Sequence, residues 1–374
     1  MAGLSCGIVG LPNVGKSTLF NALTRKAAAA ANYPFCTIDP NVGIVDVLDP
    51  RLQILSSISH SKKILPATMT FVDIAGLVKG ASEGQGLGNQ FLTNIRETDA
   101  IIHVVRCFEN TDTLDIIHVE NRVDPIADIE IINTELILSD LQMADNIYNK
   151  AEKQAKGKKE MQGTLDVLKK ALEHLNQGKC LRLLELNAEE KELLSPYPFL
   201  TAKKVLYATN VAEDSLPSLE NDLVKKVREY AEAEGSLVVP ICAKLEEEIG
   251  QLSLEEAQEF LESLGVKETG LNRLIKTSFS LLNLITYITT GEIETRAWTI
   301  NKGTPANEAA GKIHSDIQKG FIRAEVVSYE DMVLYNGRVL ARENGKARSE
   351  GKEYIVKDGD VIFFSTINLR LIFL

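Results

Sequence analysis

Apolar and polar positions divide the chain into segments typical of an α/β fold. Short apolar runs that end at a turn predict buried strands at residues 6–10, 68–73, 204–210 and 237–241. A helical pattern follows the first run, with apolar residues at Leu19, Phe20 and Leu23. Strands that alternate with helices are typical of an α/β fold.

A different period occupies residues 131–200. Two stripes have apolar residues at alternating steps of four and three: Ile137, Leu141, Ala144, Tyr148, Ala151 and Ala155, then Leu165, Leu168, Leu172 and Leu175. Joined by residues 154–163, they predict an antiparallel helical hairpin, a short coiled coil.

The pattern changes again from about residue 282. We predict strands at 284–289, 295–300, 321–327, 354–356 and 361–365, with a helix starting near Thr304 and a turn at 357–360. This order is typical of a mixed β-grasp module.

Composition supports a globular chain of about two to four domains, since 44% of the 374 residues are hydrophobic and 25% are charged. We expect no membrane span and no signal peptide. The five cysteines are scattered without CxxC pairing, which favours reduced thiols in a cytoplasmic protein.

The formal net charge of −11 argues against a nucleic-acid coat over the whole surface. A local exception lies at the expected hairpin tip, which carries Lys150, Lys153, Lys156, Lys158 and Lys159. These lysines either form a solvated face or meet the phosphate backbone of an RNA.

The strongest chemical signal is the segment 10–17, which fits GxxxxGK[ST] between a strand and a helix. Backbone N–H groups of such a loop surround the phosphates of a nucleotide. We expect Lys16 to neutralise the β- and γ-phosphates and the Ser17 hydroxyl to bind Mg²⁺. The expected nucleotide contacts of the loop are Asn13, Val14, Gly15, Lys16, Ser17 and Thr18.

A second signal is DxxG at residues 73–76, directly after a strand pattern. Asp73 is expected to hold Mg²⁺, and the N–H of Gly76 to contact the γ-phosphate. Thr37, between the two motifs, is the candidate switch threonine that closes over the metal.

The glycine-rich stretch after Gly76 predicts a loop that orders when nucleotide binds, because each glycine disfavours a helix. Its first residue is Leu77, where many nucleotide switches carry a water-orienting glutamine. Leucine has no donor or acceptor, so another group must position the attacking water. Gln85 is nearby in sequence.

Base recognition departs from the usual guanine pattern. GTP-binding folds usually carry NKxD, whereas this chain has Asn210, Val211 and Glu213 at the corresponding positions. Glutamate is one methylene longer than aspartate, which misplaces a bidentate pairing with guanine. Cys242 and Ala243 resemble an SAK-like loop over the base. The nucleotide fold is thus indicated, with adenine favoured over guanine.

These motifs together resemble the YchF/Obg-like ATPase family, a branch of the Obg-related translation-factor NTPases. The resemblance rests on NVGKST at 13–18, YPFCTIDPN at 33–41, DIAGLVKGAS at 73–82 with GQGLGNQF after it, and NVAE at 210–213. It extends from Leu4 to Leu374 with the same domain order.

The resemblance implies an ATP-preferring hydrolase, a TGS module at the C-terminus and an association with ribosomes. It also implies that His118 replaces the missing glutamine, although an isoleucine–valine setting is equally typical of a packed histidine. Asn13 matches an asparagine that helps to hold K⁺ in related NTPases, so K⁺ activation is implied as well.

We therefore predict a split P-loop domain at residues 1–130 and 201–281, a helical hairpin at 131–200 and a TGS-like β-grasp domain at 282–374. The expected function is a cytoplasmic, Mg²⁺-dependent ATPase and nucleotide-dependent switch that binds the ribosome or its subunits. Alternatives are a GTPase of the same fold and a nucleotide-gated binding protein with negligible turnover. We expect a monomer, with an apo dimer as the other state.

Overall fold

The computed structural model describes residues 4–30, 41–74, 87–109, 123–155 and 162–367. They belong to two compact units, one within Met1–Ile44 and Thr70–Leu274 and the other within Val45–Met69 and Ile275–Leu374. In the part of the chain that is described, no helix is both long and apolar enough to cross a membrane.

The strands, numbered in chain order, are β1 Ser5–Val9, β2 Val42–Asp46, β3 Ile64–Leu65, β4 Thr68–Asp73, β5 Ala100–Arg106, β6 Lys204–Asn210, β7 Leu237–Ile241, β8 Leu284–Thr290, β9 Thr295–Asn301, β10 Phe321–Val327, β11 Arg348–Glu350 and β12 Val361–Thr366.

The helices are α1 Lys16–Ala30, α2 Pro50–Ser59, α3 Leu87–Arg96, α4 Pro125–Ala155, α5 Gln162–Asn176, α6 Ala188–Leu194, α7 Asp222–Glu234, α8 Ala243–Ile249, α9 Leu254–Ser263, α10 Gly270–Leu281, α11 Ala306–Ile313, α12 Ser315–Lys319, α13 Tyr329–Leu334 and α14 Arg338–Glu343. Two 3-10 helices lie at Leu181–Leu183 and Glu213–Ser215.

The first sheet has the strand order β2-β4-β1-β5-β6-β7. Strand β1 is parallel to β4 and β5, and β6 is parallel to β5 and β7. Every residue of β5 is buried, as a strand inside a parallel sheet requires. Because parallel strands end at the same edge, the residues after β1, β4, β6 and β7 come together there. The predicted P-loop α/β fold is confirmed.

The predicted hairpin is present as α4 and α5, which pack against each other around their own apolar core. Both predicted stripes contribute to that core, from Ile137 to Ala151 on α4 and from Leu165 to Leu175 on α5. Helix α4 starts at Pro125, before the expected limit of residue 131, and its 31 residues span about 46 Å.

The second sheet is mixed, with the order β11-β10-β12-β8-β9-β3. Strands β8 and β9 form an antiparallel hairpin, and β12 is parallel to β8. An apolar cluster lies between the sheet and α11, with Tyr287, Ala309 and Val326 buried in it. The TGS assignment of this region stays a prediction.

Residues 45–69 group with this sheet, whereas the sequence analysis placed them in the nucleotide-binding domain. Helix α2 packs on β8 and β9, and β3 pairs with β9. Arg51 holds the segment in place through hydrogen bonds to Asp358 and Thr286. The other predicted domain limits stay predictions.

The strand predicted at residues 354–356 is wrong. Only Ile355 forms a bridge, with Pro305. The backbone of Tyr354 and Val356 bonds to residues on either side of that proline, at 2.8 Å to Ala306 N and 3.1 Å to Thr304 O. Because helix α11 begins at Ala306, the partner segment leaves the extended conformation and the pairing cannot continue into a ladder. The sequence pattern also missed α13, α14 and β11.

A buried ion pair joins the root of the hairpin to other elements of the same unit. Arg182, in the 3-10 helix after α5, donates to Glu234 Oε2 at 3.1 Å and to Asn133 Oδ1 at 3.2 Å. The side chains of the pair are only 8% and 6% exposed. Tyr207 also donates to Glu234, at 2.6 Å. One guanidinium thus ties α4 to α7 and β6.

Burial and, secondarily, the charge of Arg182 lower the pKa of neighbouring His103 to about 3. The His103 ring lies 5.6 Å from the Tyr207 ring, between centroids. The imidazole is therefore neutral at physiological pH, and Glu234 is the anion that balances Arg182.

Replacing Arg182 by methionine should lower the free energy of unfolding by about 3 kcal/mol, because Glu234 then stays buried without its cation. Urea unfolding followed by far-UV circular dichroism measures the change.

Lys225→Met is the matched control, since Lys225 forms an exposed ion pair with Asp222 and its loss should leave stability nearly unchanged. An effect of Arg182→Met no larger than that of the control would show that the buried pair does not hold the hairpin root.

Candidate functional site

The phosphate-loop motif lies at the expected edge of the first sheet. Strand β1 ends at Val9, and α1 begins at Lys16 after a tight loop. Two loop residues adopt left-handed backbone conformations, Asn13 with φ 64° and Gly15 with φ 94°. At Gly15 a Cβ atom would lie 2.2 Å from Asn210 Nδ2. Glycine is therefore required there by both conformation and space.

Lys16 and Asp73 meet at the mouth of this loop. The Lys16 ammonium donates a hydrogen bond to Asp73 Oδ1, and their side chains are 11% and 20% exposed. The parallel pairing of β1 with β4, in which Ile8 lies opposite Asp73, produces this contact. The structure thus brings together the lysine and the carboxylate that the two motifs predicted.

Asn210 connects the loop to the base-recognition side. Its side-chain Nδ2 donates to Val14 O at 3.0 Å, and its Oδ1 accepts from Ala243 N at 3.0 Å. Its backbone carbonyl accepts from Cys107 N at 2.8 Å. The side chain is buried, so both amide atoms bind protein groups in a protected setting.

The other base-side residues fall into a buried and an exposed group. The buried group consists of Val211, Cys242 and Ala243, which are each at most 2% exposed. Burial raises the pKa of the Cys242 thiol to about 11, so it is neutral at pH 7. Glu213 is exposed and forms an ion pair with Lys244, Oε2 to Nζ at 2.9 Å.

The described part of the chain holds most of the predicted site residues. Asn13, Val14, Gly15, Lys16, Ser17 and Thr18 lie in the loop and the start of α1, with Asp73, Asn210, Val211, Glu213, Cys242 and Ala243 at the same sheet edge. Thr37, Gly76 and His118 lie outside the described residues.

Sequence reasoning missed Lys244 as a member of this site. The sequence does carry a signal for it, because residues of opposite charge follow two neighbouring strands. Glu213 lies three residues after Asn210, the last residue of β6, and Lys244 lies one residue after Ala243, just beyond β7. Within the described ranges, no group of three or more His, Cys, Asp or Glu side chains could hold a metal ion. The four described cysteines are buried and form no disulfide bond with one another.

Two family models match the chain. One, described as "50S ribosome-binding GTPase", matches residues 5–139. The other, YchF-GTPase_C, carries the description "Protein of unknown function (DUF933)" and matches residues 284–367.

Curated relatives cover nearly the whole chain. Proteins named "Ribosome-binding ATPase YchF" from Escherichia coli O157:H7 and Bacillus subtilis are 56% and 53% identical over 363 residues. The alignments cover 97% and 96% of this chain and 99% and 98% of the relatives.

A solved structure, "Structure of the Schizosaccharomyces pombe YchF GTPase", matches with a TM-score of 0.88 and 37% identity, over 98% of this chain and 99% of that one. The motifs, the fold and these relatives agree, and the protein belongs to the YchF family of P-loop NTPases.

Proposed function

We propose that this chain is a Mg²⁺-dependent ATPase that acts as a nucleotide-dependent switch and binds the ribosome or its subunits. The observation that carries the proposal is the contact of Lys16 with Asp73 at the mouth of a phosphate loop held by Asn210. The relatives' printed name, "Ribosome-binding ATPase YchF", supports the same function.

The residues at the loop fit a hard divalent cation. Asp73 offers a carboxylate and Ser17 an exposed hydroxyl, and Mg²⁺ prefers such oxygen ligands. In this proposal Thr37 adds a third oxygen. The bound ion would neutralise charge on the β- and γ-phosphates.

Lys16 has the central role in turnover. Its ammonium, paired with Asp73 here, would bind the phosphate oxygens and stabilise the charge that develops in the transition state. Loop N–H groups and the start of α1 add a favourable dipole. We propose that Gly76 senses the γ-phosphate and that His118 orients the attacking water in place of the missing glutamine.

The base side favours adenine over guanine. Ala243 N already donates to Asn210 Oδ1, so this N–H is not offered to an acceptor on the base. Glu213 in place of aspartate displaces the carboxylate by one methylene. The printed names differ on the nucleotide, with ATPase for the bacterial relatives and GTPase for the fission-yeast structure. GTP hydrolysis is therefore the second candidate activity.

The helical hairpin supplies the proposed contact with ribosomal RNA. Lys150 and Lys153 are exposed near the end of α4, and Lys156, Lys158 and Lys159 follow outside the described residues. Clustered lysines bind phosphate backbones through charge neutralisation. We further propose a cytoplasmic monomer, a regulatory TGS-like module at 282–374 and K⁺ bound near Asn13.

Lys16→Ala should lower the rate of phosphate release from ATP by about 100-fold, because the transition-state charge loses a pre-positioned cation. The assay contains Mg²⁺ and K⁺ and is run in parallel with GTP. Lys153→Ala, on the exposed hairpin, should keep the wild-type rate.

The same assay separates the alternatives. Faster hydrolysis of GTP than of ATP would identify a GTPase, and nucleotide binding without phosphate release would identify a gated binding protein. A rate for Lys16→Ala close to wild type would contradict the proposed mechanism, and an unchanged rate for His118→Ala would remove His118 from it.

Cosedimentation with ribosomes and separated subunits should differ between the ATP-bound and ADP-bound protein. Changing Lys150 and Lys153 to glutamate should weaken binding and reduce the slope of log affinity against log salt by about 1 per lost phosphate contact. The matched control changes two exposed lysines of α7, Lys225 and Lys226, to glutamate. Equal loss in variant and control would assign the effect to overall charge.

A further inference from the structure

The ion pair between Glu213 and Lys244 lies beside the Asn210–Ala243 hydrogen bond. Glu213 follows Asn210 by three residues in a 3-10 helix, and Lys244 follows Ala243 in the first turn of α8. Their side chains are 43% and 57% exposed, yet Nζ and Oε2 are 2.9 Å apart. The hydrogen bond to Glu213 raises the pKa of Lys244, so the ammonium stays charged at physiological pH.

Guanine and adenine differ in the hydrogen-bond donors that they offer to a carboxylate, so the state of Glu213 affects which base can bind. The ring N1–H and exocyclic N2–H₂ of guanine are donors, which a free carboxylate accepts side by side. Adenine offers neither donor at those positions, since its N1 is an acceptor and its C2 carries only hydrogen. A free carboxylate here therefore favours guanine, and a carboxylate held by an ammonium loses that preference.

We propose that Lys244 is a specificity-determining residue that suppresses guanine binding by holding the Glu213 carboxylate. The longer glutamate side chain is flexible enough to reach a base when it is released, so side-chain length alone is an incomplete barrier. Lys244 restricts that route by binding Oε2, and it places a positive charge beside the carboxylate that would otherwise accept the N1–H of guanine. Specificity then comes partly from a penalty on the wrong base.

The proposal rests on the proposed function only in assigning this sheet edge to the base of a bound nucleotide. Both residues are exposed and neither packs in the core, so substitutions there test binding without threatening the fold. The measurement is the Kd of unlabelled ATP and of unlabelled GTP, each from competition against a fluorescent ADP derivative.

Lys244→Met, which keeps most of the length and removes the charge, should raise GTP affinity relative to ATP by about threefold to fivefold, the upper part of the range of an exposed ion pair. Lys244→Arg should keep the wild-type ratio, because a guanidinium still binds the carboxylate. In a Glu213→Gln background, Lys244→Met should no longer change the ratio, because no carboxylate remains to be released.

A GTP to ATP ratio that stays within 1.5-fold of wild type (about 0.2 kcal/mol) in Lys244→Met would overturn the proposal. An equal change in the Glu213→Gln background would also overturn it, because Lys244 would then act without Glu213. Failure of the proposed function has a separate signature. Wild-type protein that releases no phosphate would refute the ATPase, while the ratio of Kd values would still report on Lys244.

Discussion

The buried side-chain amide of Asn210 is the constraint on which the nucleotide site depends. One amide links the carbonyl of Val14 in the phosphate loop to the backbone N–H of Ala243 at the start of α8. Position 15 must be glycine because the amide occupies the space a Cβ would need. An unpaired buried amide or carbonyl costs about 1–3 kcal/mol, so the three groups hold one another in place. The predicted phosphate loop and the predicted base-recognition loop are thereby parts of one hydrogen-bonded unit.

The hairpin is connected to this unit by polar as well as apolar contacts. Helix α4 runs without a break from the nucleotide fold into the hairpin, and Arg182 ties its root to Glu234 and Asn133. Hydrogen-bonded pairs demand defined geometry, so a buried ion pair fixes the direction of a long helix more specifically than apolar packing. In the proposed function, such a root gives the lysines at the far end of α4 a defined position relative to the nucleotide.

Local signals explain what could be predicted from the sequence. Strands β1, β4 and β6 and the loop at 10–17 depend on short apolar runs and on glycine, aspartate or asparagine at fixed spacing, and the structure has them where predicted. The Glu213–Lys244 and Arg182–Glu234 pairs join residues 31 and 52 positions apart, which no local pattern encodes. The strand predicted at 354–356 failed because its partner segment, at Pro305, turns directly into helix α11. The packing of residues 45–69 on β8 and β9 likewise joins segments more than 200 residues apart, which no local pattern encodes.

The affinity of Asn210→Ala for ATP tests this account most directly. The variant leaves the Val14 carbonyl and the Ala243 N–H without their partner, and Kd for ATP should rise by about tenfold or more. Thr209→Val, one residue earlier on the same strand, removes a buried hydroxyl that has no hydrogen-bond partner among the described residues, and it should bind ATP as wild type does. If Asn210→Ala binds ATP within twofold of wild type, the amide does not hold the site together and the central claim is contradicted.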